Sequence, residues 1–186
     1  MRIIAGSCRG RTLKTVSGPG YRPAMSKVRE SLFSMLESRG VVWSGGIRVL
    51  DLFAGSGSLG FEALSRGAEL AVFVETGQTA AACLSANARL LGLEDRCRIL
   101  TEDARRVSAR RPPDPFDVIF VDPPYGQDLL GPVMRNLLRL DWLATGGFLA
   151  AEVEKGLPLP PAPGLEMDTE RRYGQTRIVL WTRLPD

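Results

Sequence analysis

The segment Ile47–Phe53 (IRVLDLF) runs directly into Ala54-Gly55-Ser56-Gly57-Ser58-Leu59-Gly60, and no other part of the chain restricts the fold so tightly. The first run predicts a strand, and Gly55, Gly57 and Gly60 fit G-x-G-x-x-G at the entry to a helix over 58–66. The pattern then alternates. Strand 70–75 (LAVFVE) is followed by helix 76–91, with Ala80, Cys83, Leu84, Ala88 and Leu91 on one side, and by strand 97–100. Strand 117–122 (DVIFVD), helix 126–140 and strand 148–152 complete the series. Apolar strands spaced by helices suit a parallel sheet buried on both faces and joined by right-handed crossovers. Beyond the Pro-rich segment 157–163, runs 165–171 and 176–183 face each other across Tyr173-Gly174-Gln175 as an antiparallel hairpin. The expectation is an α/β, doubly wound, mostly parallel seven-stranded sheet closed by that hairpin. Upstream, 2–16 reads as two short strands around Gly6-Ser7, and Ser26 caps a helix reaching about residue 39. Residues 1–40 are expected to form a small arm and 41–186 the main domain.

Composition narrows the chemistry. The 186 residues include no histidine, which removes Ser-His-Asp and Cys-His catalysis and histidine-ligated metals. Three scattered cysteines, Cys8, Cys83 and Cys97, make neither a disulfide framework nor a zinc cluster, so no metal is expected. No apolar run approaches the roughly 20 residues that span a bilayer, and the first residues lack a signal-peptide core. A soluble cytoplasmic protein without a membrane partner is expected; oligomeric state is not legible, with a monomer favoured. The net charge of +3 is uneven: residues 1–29 carry seven basic side chains and no acid, whereas 30–186 sum to −4. Arginine outnumbers lysine 21 to 3. Guanidinium forks pair with phosphates and stack on bases, so Arg9, Arg11, Lys14, Lys27 and Arg29 are candidate nucleic-acid contacts. A solvated basic face, or the arginine bias of a GC-rich genome, would give the same pattern.

The glycine turn accepts a nucleoside-containing cofactor, and an acid after the next strand, Glu75, suits ribose hydroxyls. Asp51 beside the turn favours a cofactor with a positive end, such as S-adenosylmethionine (SAM), over a pyrophosphate-bearing dinucleotide. Asp103, after the third strand, is placed for an adenine amino group. Each acid taken singly could instead cap a helix or turn. At the end of the fourth strand, Asp122-Pro123-Pro124-Tyr125 holds extended geometry through its two prolines. That aims a carboxylate and a backbone carbonyl outward and offers an aromatic ring for stacking. Such acceptors, gripping the two N–H groups of a base amine, favour its attack on a methyl sulfonium. The alternative is a proline-rich turn at a strand end. No cysteine lies in this motif, which disfavours covalent methylation at cytosine carbon-5.

The set DLFAGSGSLG, FVE and DPPY resembles the class I SAM-dependent amino-methyltransferases, whose sheet is Rossmann-like. MRIIAGSCRGRTL, RP…KVRESLF, FEALSRGA and RRYGQT narrow the resemblance to the bacterial RsmD family of 16S rRNA guanine N-2 methyltransferases. It implies that Asp51, Gly55 and Gly57 line the methionine end of SAM, Glu75 its ribose and Asp103 its adenine, with Phe53, Ala54 and Ala104 also binding the cofactor. Arg22 would sit over the cofactor, and Asp122, Pro123, Pro124 and Tyr125 would grip the guanine. The family's usual Thr-(Thr/Ser)-Asp after Arg-Pro is replaced by Ala24-Met25-Ser26. The implied partner is 16S rRNA or the 30S subunit. Competing readings are an adenine N-6 methyltransferase on DNA or RNA, an NAD-dependent oxidoreductase, and a non-catalytic ribosome-assembly factor.

Overall fold

The computed structural model describes residues 1–16 and 26–185. Five parallel strands form its centre: β1 (Arg48–Leu52), β2 (Leu70–Val74), β3 (Cys97–Leu100), β4 (Phe116–Val121) and β5 (Leu143–Glu154). Strands β6 (Leu165–Tyr173) and β7 (Thr176–Arg183) make the closing hairpin, and β7 inserts antiparallel between β5 and β6. The order β3-β2-β1-β4-β5-β7-β6 bears out the doubly wound, mostly parallel seven-stranded sheet. It is wrapped by α1 (Ser26–Ser38), α2 (Ser58–Arg66), α3 (Gln78–Leu91), α4 (Ala104–Ser108) and α5 (Leu130–Arg139).

Alternate residues of β1, β2, β4, β5 and β7 feed opposite cores, which is why these strands carry apolar residues in succession. Val49, Phe73, Val118, Phe120 and Ala150 pack with Phe33 and Leu36 of α1, Phe61 and Leu64 of α2, and Leu84 of α3. Leu50, Val72, Ile119, Val121 and Leu149 pack on the other face with Val107 of α4 and Val133, Met134 and Leu137 of α5. Among the described residues, no helix is long and apolar enough to cross a membrane.

Several boundaries differ from expectation. The two N-terminal strands reduce to a single bridge, Arg2 with Thr12. The backbone between them is committed to α2 instead: Ile4 and Ala5 donate to Glu62 (2.8 and 3.0 Å), and Ser7 and Cys8 donate to Ser65 (2.7 and 3.0 Å). Helix α5 begins at Leu130 rather than 126, because Gly126 and Asp128 have φ of 76° and 44° and break the helical path. Helix α4 was not anticipated from the sequence; at five residues it is too short to show a periodic face, and Asp103 caps it by accepting from Arg105 N at 2.7 Å.

Chain order reverses between β1 and β4, and α/β ligand crevices open at the carboxyl ends of such a pair. Register sets what is exposed there. Leu52 pairs with both Val74 and Val121, and Val121 pairs with Ala151. Phe53, Glu75, Asp122 and Glu152 are therefore next in line on adjacent strands, although they are up to 99 residues apart in the chain.

Candidate active site

Asp51 sits one residue before the end of β1 and is buried. Its Oδ2 accepts from Gly60 N at 2.9 Å. The close approach needs glycine: a Cβ at position 60 would stand 2.3 Å from the Phe73 ring and 3.1 Å from Asp51 Oδ2. Gly57, in left-handed geometry at φ 78°, turns the chain into α2. Glu75 closes the turn from the other side, accepting from Gly55 N and Gly77 N, each at 2.9 Å. The two acids thus shape the glycine turn in addition to lining it, and Phe53 and Ala54 lie half-buried along it.

The electrostatics say what this cradle lacks. Burial, with a smaller contribution from the Glu75 carboxylate, pushes Asp51 up to about 7 despite the Gly60 hydrogen bond. Asp122 is raised well above the ordinary carboxylate range by burial, then by Glu152 and Asp51. Mutually repelling carboxyl groups at one sheet edge favour a ligand that brings positive charge. A pyrophosphate would add to the repulsion, whereas the ammonium and sulfonium of SAM relieve it. The residues present therefore fit SAM.

The remaining predicted positions divide. Asp103 and Ala104 follow β3, but both Asp103 oxygens engage Arg105, whose hydrogen bond holds that carboxyl below its usual range. Arg22 lies outside the described residues. Arg9, Arg11, Lys14 and Lys27 are exposed. Arg29 is a correction: it is only 1% exposed and donates to Arg2 O at 2.6 Å. It stands with Leu32, Phe33 and Leu36 on the buried side of α1, where burial lowers its pKa and Glu62 opposes that shift. It is a packing cation, not a surface one. Cys97 is pushed up to about 12 by burial. Among the described residues, no group of three or more acidic or cysteine side chains is arranged to hold a metal.

The Asp-Pro-Pro-Tyr turn is clamped from β5 and β7. Tyr125 Oη and Thr176 Oγ1 are hydrogen-bonded at 2.8 Å, and Gly126 N donates to Glu154 Oε1 at 2.7 Å. Glu154 and Thr176 are themselves cross-strand partners. One turn away, Tyr173 donates to Ser31 of α1, so the hairpin tip links that helix to the turn. Sequence reading missed Glu152, Glu154 and Thr176; the one signal was Thr176 as the last residue of RRYGQT, beside the hairpin turn. It also missed Asn87, buried in α3, which accepts from Lys14 N and donates to Lys14 O and Ser56 O, carrying the arm across the glycine turn.

Comparison with known proteins agrees. The model of the family described as Conserved hypothetical protein 95 matches residues 1–182. Ribosomal RNA small subunit methyltransferase D of Escherichia coli strain K12 is 36% identical over 185 residues, 98% of this chain and 90% of that protein. YlbH of Bacillus subtilis, described as a candidate rRNA methyltransferase, is 38% identical over 98% of this chain and 99% of its own. The solved structure of the Escherichia coli methyltransferase candidate yhhF superposes with a TM-score of 0.87 at 34% identity, covering 100% of this chain and 99% of that one. With an acid-rich cofactor cradle, an Asp-Pro-Pro-Tyr turn at the sheet's carboxyl edge and relatives matched end to end, the chain belongs to the Conserved hypothetical protein 95 family and is a SAM-dependent methyltransferase.

Proposed function

We propose that the enzyme methylates the exocyclic N-2 amine of a guanine in small-subunit (16S) rRNA, presented as free RNA or within the 30S particle. The observation that carries this is the alignment of Asp122, on its Pro-Pro-Tyr turn, with the cationic-cofactor cradle of Asp51 and Glu75 at one sheet edge. SAM supplies the methyl group on a sulfonium. Asp51, Phe53, Ala54, Gly55 and Gly57 would hold its methionine end, and Glu75 its ribose. Asp103 would first have to share its carboxylate between Arg105 and the adenine.

The exocyclic nitrogen of guanine is a weak nucleophile because its lone pair is delocalised into the ring. Asp122 and the Pro123 carbonyl accept from its two N–H groups and turn the lone pair outward. Bound SAM would give up its methyl group to that nitrogen and leave as a neutral thioether, so the positive charge would pass to the nitrogen. The alkylated nitrogen then sheds a proton, for which Asp122, raised above the ordinary range, is a better acceptor than an exposed aspartate. The Tyr125 ring stacks on the base, which must leave its helix to reach the edge. The arm of residues 1–40 contributes Arg9, Arg11, Lys14 and Lys27 to the RNA backbone.

Asp122→Ala should abolish methyl transfer to 16S rRNA or 30S particles while SAM binding survives; unimpaired turnover would refute the mechanism. Offering guanine-containing rRNA and adenine-containing DNA with labelled SAM separates this reading from an adenine N-6 enzyme.

A further inference from the structure

A cavity of about 240 Å³ lies beside the Asp-Pro-Pro-Tyr turn, between it and the carboxyl end of β5. That is many times the roughly 10–15 Å³ of such space that a single water needs, so the cavity has room for a planar ring. Pro124, Tyr125, Leu130 and Val153 give it an apolar wall with a stacking ring, and two acids, Glu154 and Asp128, supply its negative charge. Asp128 is exposed at the rim, whereas Glu154 is half-buried and tied down. Its Oε1 accepts from Gly126 N at 2.7 Å, while Oε2 has no hydrogen-bond partner among the described residues.

Purines differ in what they present to such a wall. Guanine carries two adjacent donors, N1–H and the N-2 amine, on its Watson–Crick edge. Adenine has an acceptor at N1. A fixed carboxylate rewards the first pattern and repels the second. We infer that Glu154 is the specificity-determining residue of the site, its Oε2 taking the N1–H of the target guanine while Asp122 holds the amine. This inference rests on the proposed guanine N-2 chemistry and supplies the reason that the enzyme would refuse adenine.

The anchor at Gly126 makes the test clean. In Glu154→Gln the backbone N–H still demands an oxygen, so the amide oxygen stays there and the NH₂ turns to the cavity. The wall changes from acceptor to donor with almost no change in shape. The matching substrate probe is 2-aminopurine, which keeps the amine at carbon 2 but has an acceptor at N1. Small-subunit particles reconstituted with guanine or 2-aminopurine at the methylated position would be compared by kcat/KM. The wild-type enzyme should prefer guanine by tenfold or more, and E154Q should lose about tenfold on guanine and reduce or invert the preference. Because the result is a ratio on one protein sample, it does not depend on how much of the variant folds. An unchanged ratio in E154Q, with both rates falling together, would overturn the inference and leave Glu154 as a mere tie for the turn. If the wild-type enzyme methylates adenine and not guanine, the proposed function fails first and the inference falls with it.

Discussion

Asp51→Asn removes a charge that the free protein keeps only at a cost. In an unfolded chain this aspartate titrates near 3.8, and in the folded protein at about 7, mainly because it is buried. Between those values the native state binds more protons than the unfolded state. The contribution of Asp51 to stability is therefore fully present below about pH 4, falls as pH rises, and levels off above about pH 7. At 1.36 kcal/mol per unit, the loss is about 4 kcal/mol. The D51N amide oxygen still accepts from Gly60 N, so at pH 8 the cofactor-free variant should be more stable than wild type by up to that amount. Cofactor binding should show the opposite sign. A cationic ligand needs the carboxylate, so below pH 7 binding must first expel a proton. Wild-type affinity for SAM should fall about tenfold from pH 8 to pH 6, with proton release visible by calorimetry in buffers of different ionisation enthalpy. D51N should bind more weakly at pH 8, with a shallower pH slope, the remainder coming from Asp122, which shifts in the same direction. Urea melts from pH 5 to 8 complete the comparison. If D51N has wild-type stability at pH 8 and an unchanged slope of affinity against pH, the buried-charge argument is wrong.

Thr176→Val deletes the hydroxyl that meets Tyr125 at 2.8 Å; one such bond is worth about 1 kcal/mol, so kcat/KM should drop about fivefold. Thr176→Ser should restore it, and the valine change should add nothing in a Tyr125→Phe background; additive losses would mean that the two groups are not coupled. Glu62→Gln should destabilise the protein by about 3 kcal/mol in urea melts, because the buried carboxylate holds Ile4 N, Ala5 N and Arg66 Nε and stands opposite Arg29. Adding Arg29→Met should recover part of that loss, since the cation would no longer be buried without its counter-charge; a change under about 0.5 kcal/mol for Glu62→Gln would show that the arm docks by other means.

Local pattern and tertiary structure divided the labour along a physical line. Strand-like runs, the glycine turn and the Asp-Pro-Pro-Tyr turn were legible because each rests on neighbours in the chain: burial on two faces, sharp backbone turns, and φ angles held by proline. That much determined a doubly wound sheet with a glycine turn suited to a nucleoside cofactor at the end of its first strand and the Asp-Pro-Pro-Tyr turn at the end of its fourth. Arg29 was misread because charge was counted along the chain, although its spacing from Leu32, Phe33 and Leu36 already placed it on a buried helix face. Helix α5 was started too early because the left-handed residue Asp128 leaves no local mark. The rest could not be read locally at all. Glu62 and Ser65 look like ordinary helix residues until the arm lies across them. Glu152 joins Asp122 only through the register of β4 on β5. Glu154 and Thr176 meet the Asp-Pro-Pro-Tyr turn only because β7 inserts beside β5. Pairings between residues tens of positions apart are settled by which strands share hydrogen bonds. The sequence alone therefore determined the kind of chemistry, and the assembled sheet decided which carboxylates and hydroxyls stand around the Asp-Pro-Pro-Tyr turn.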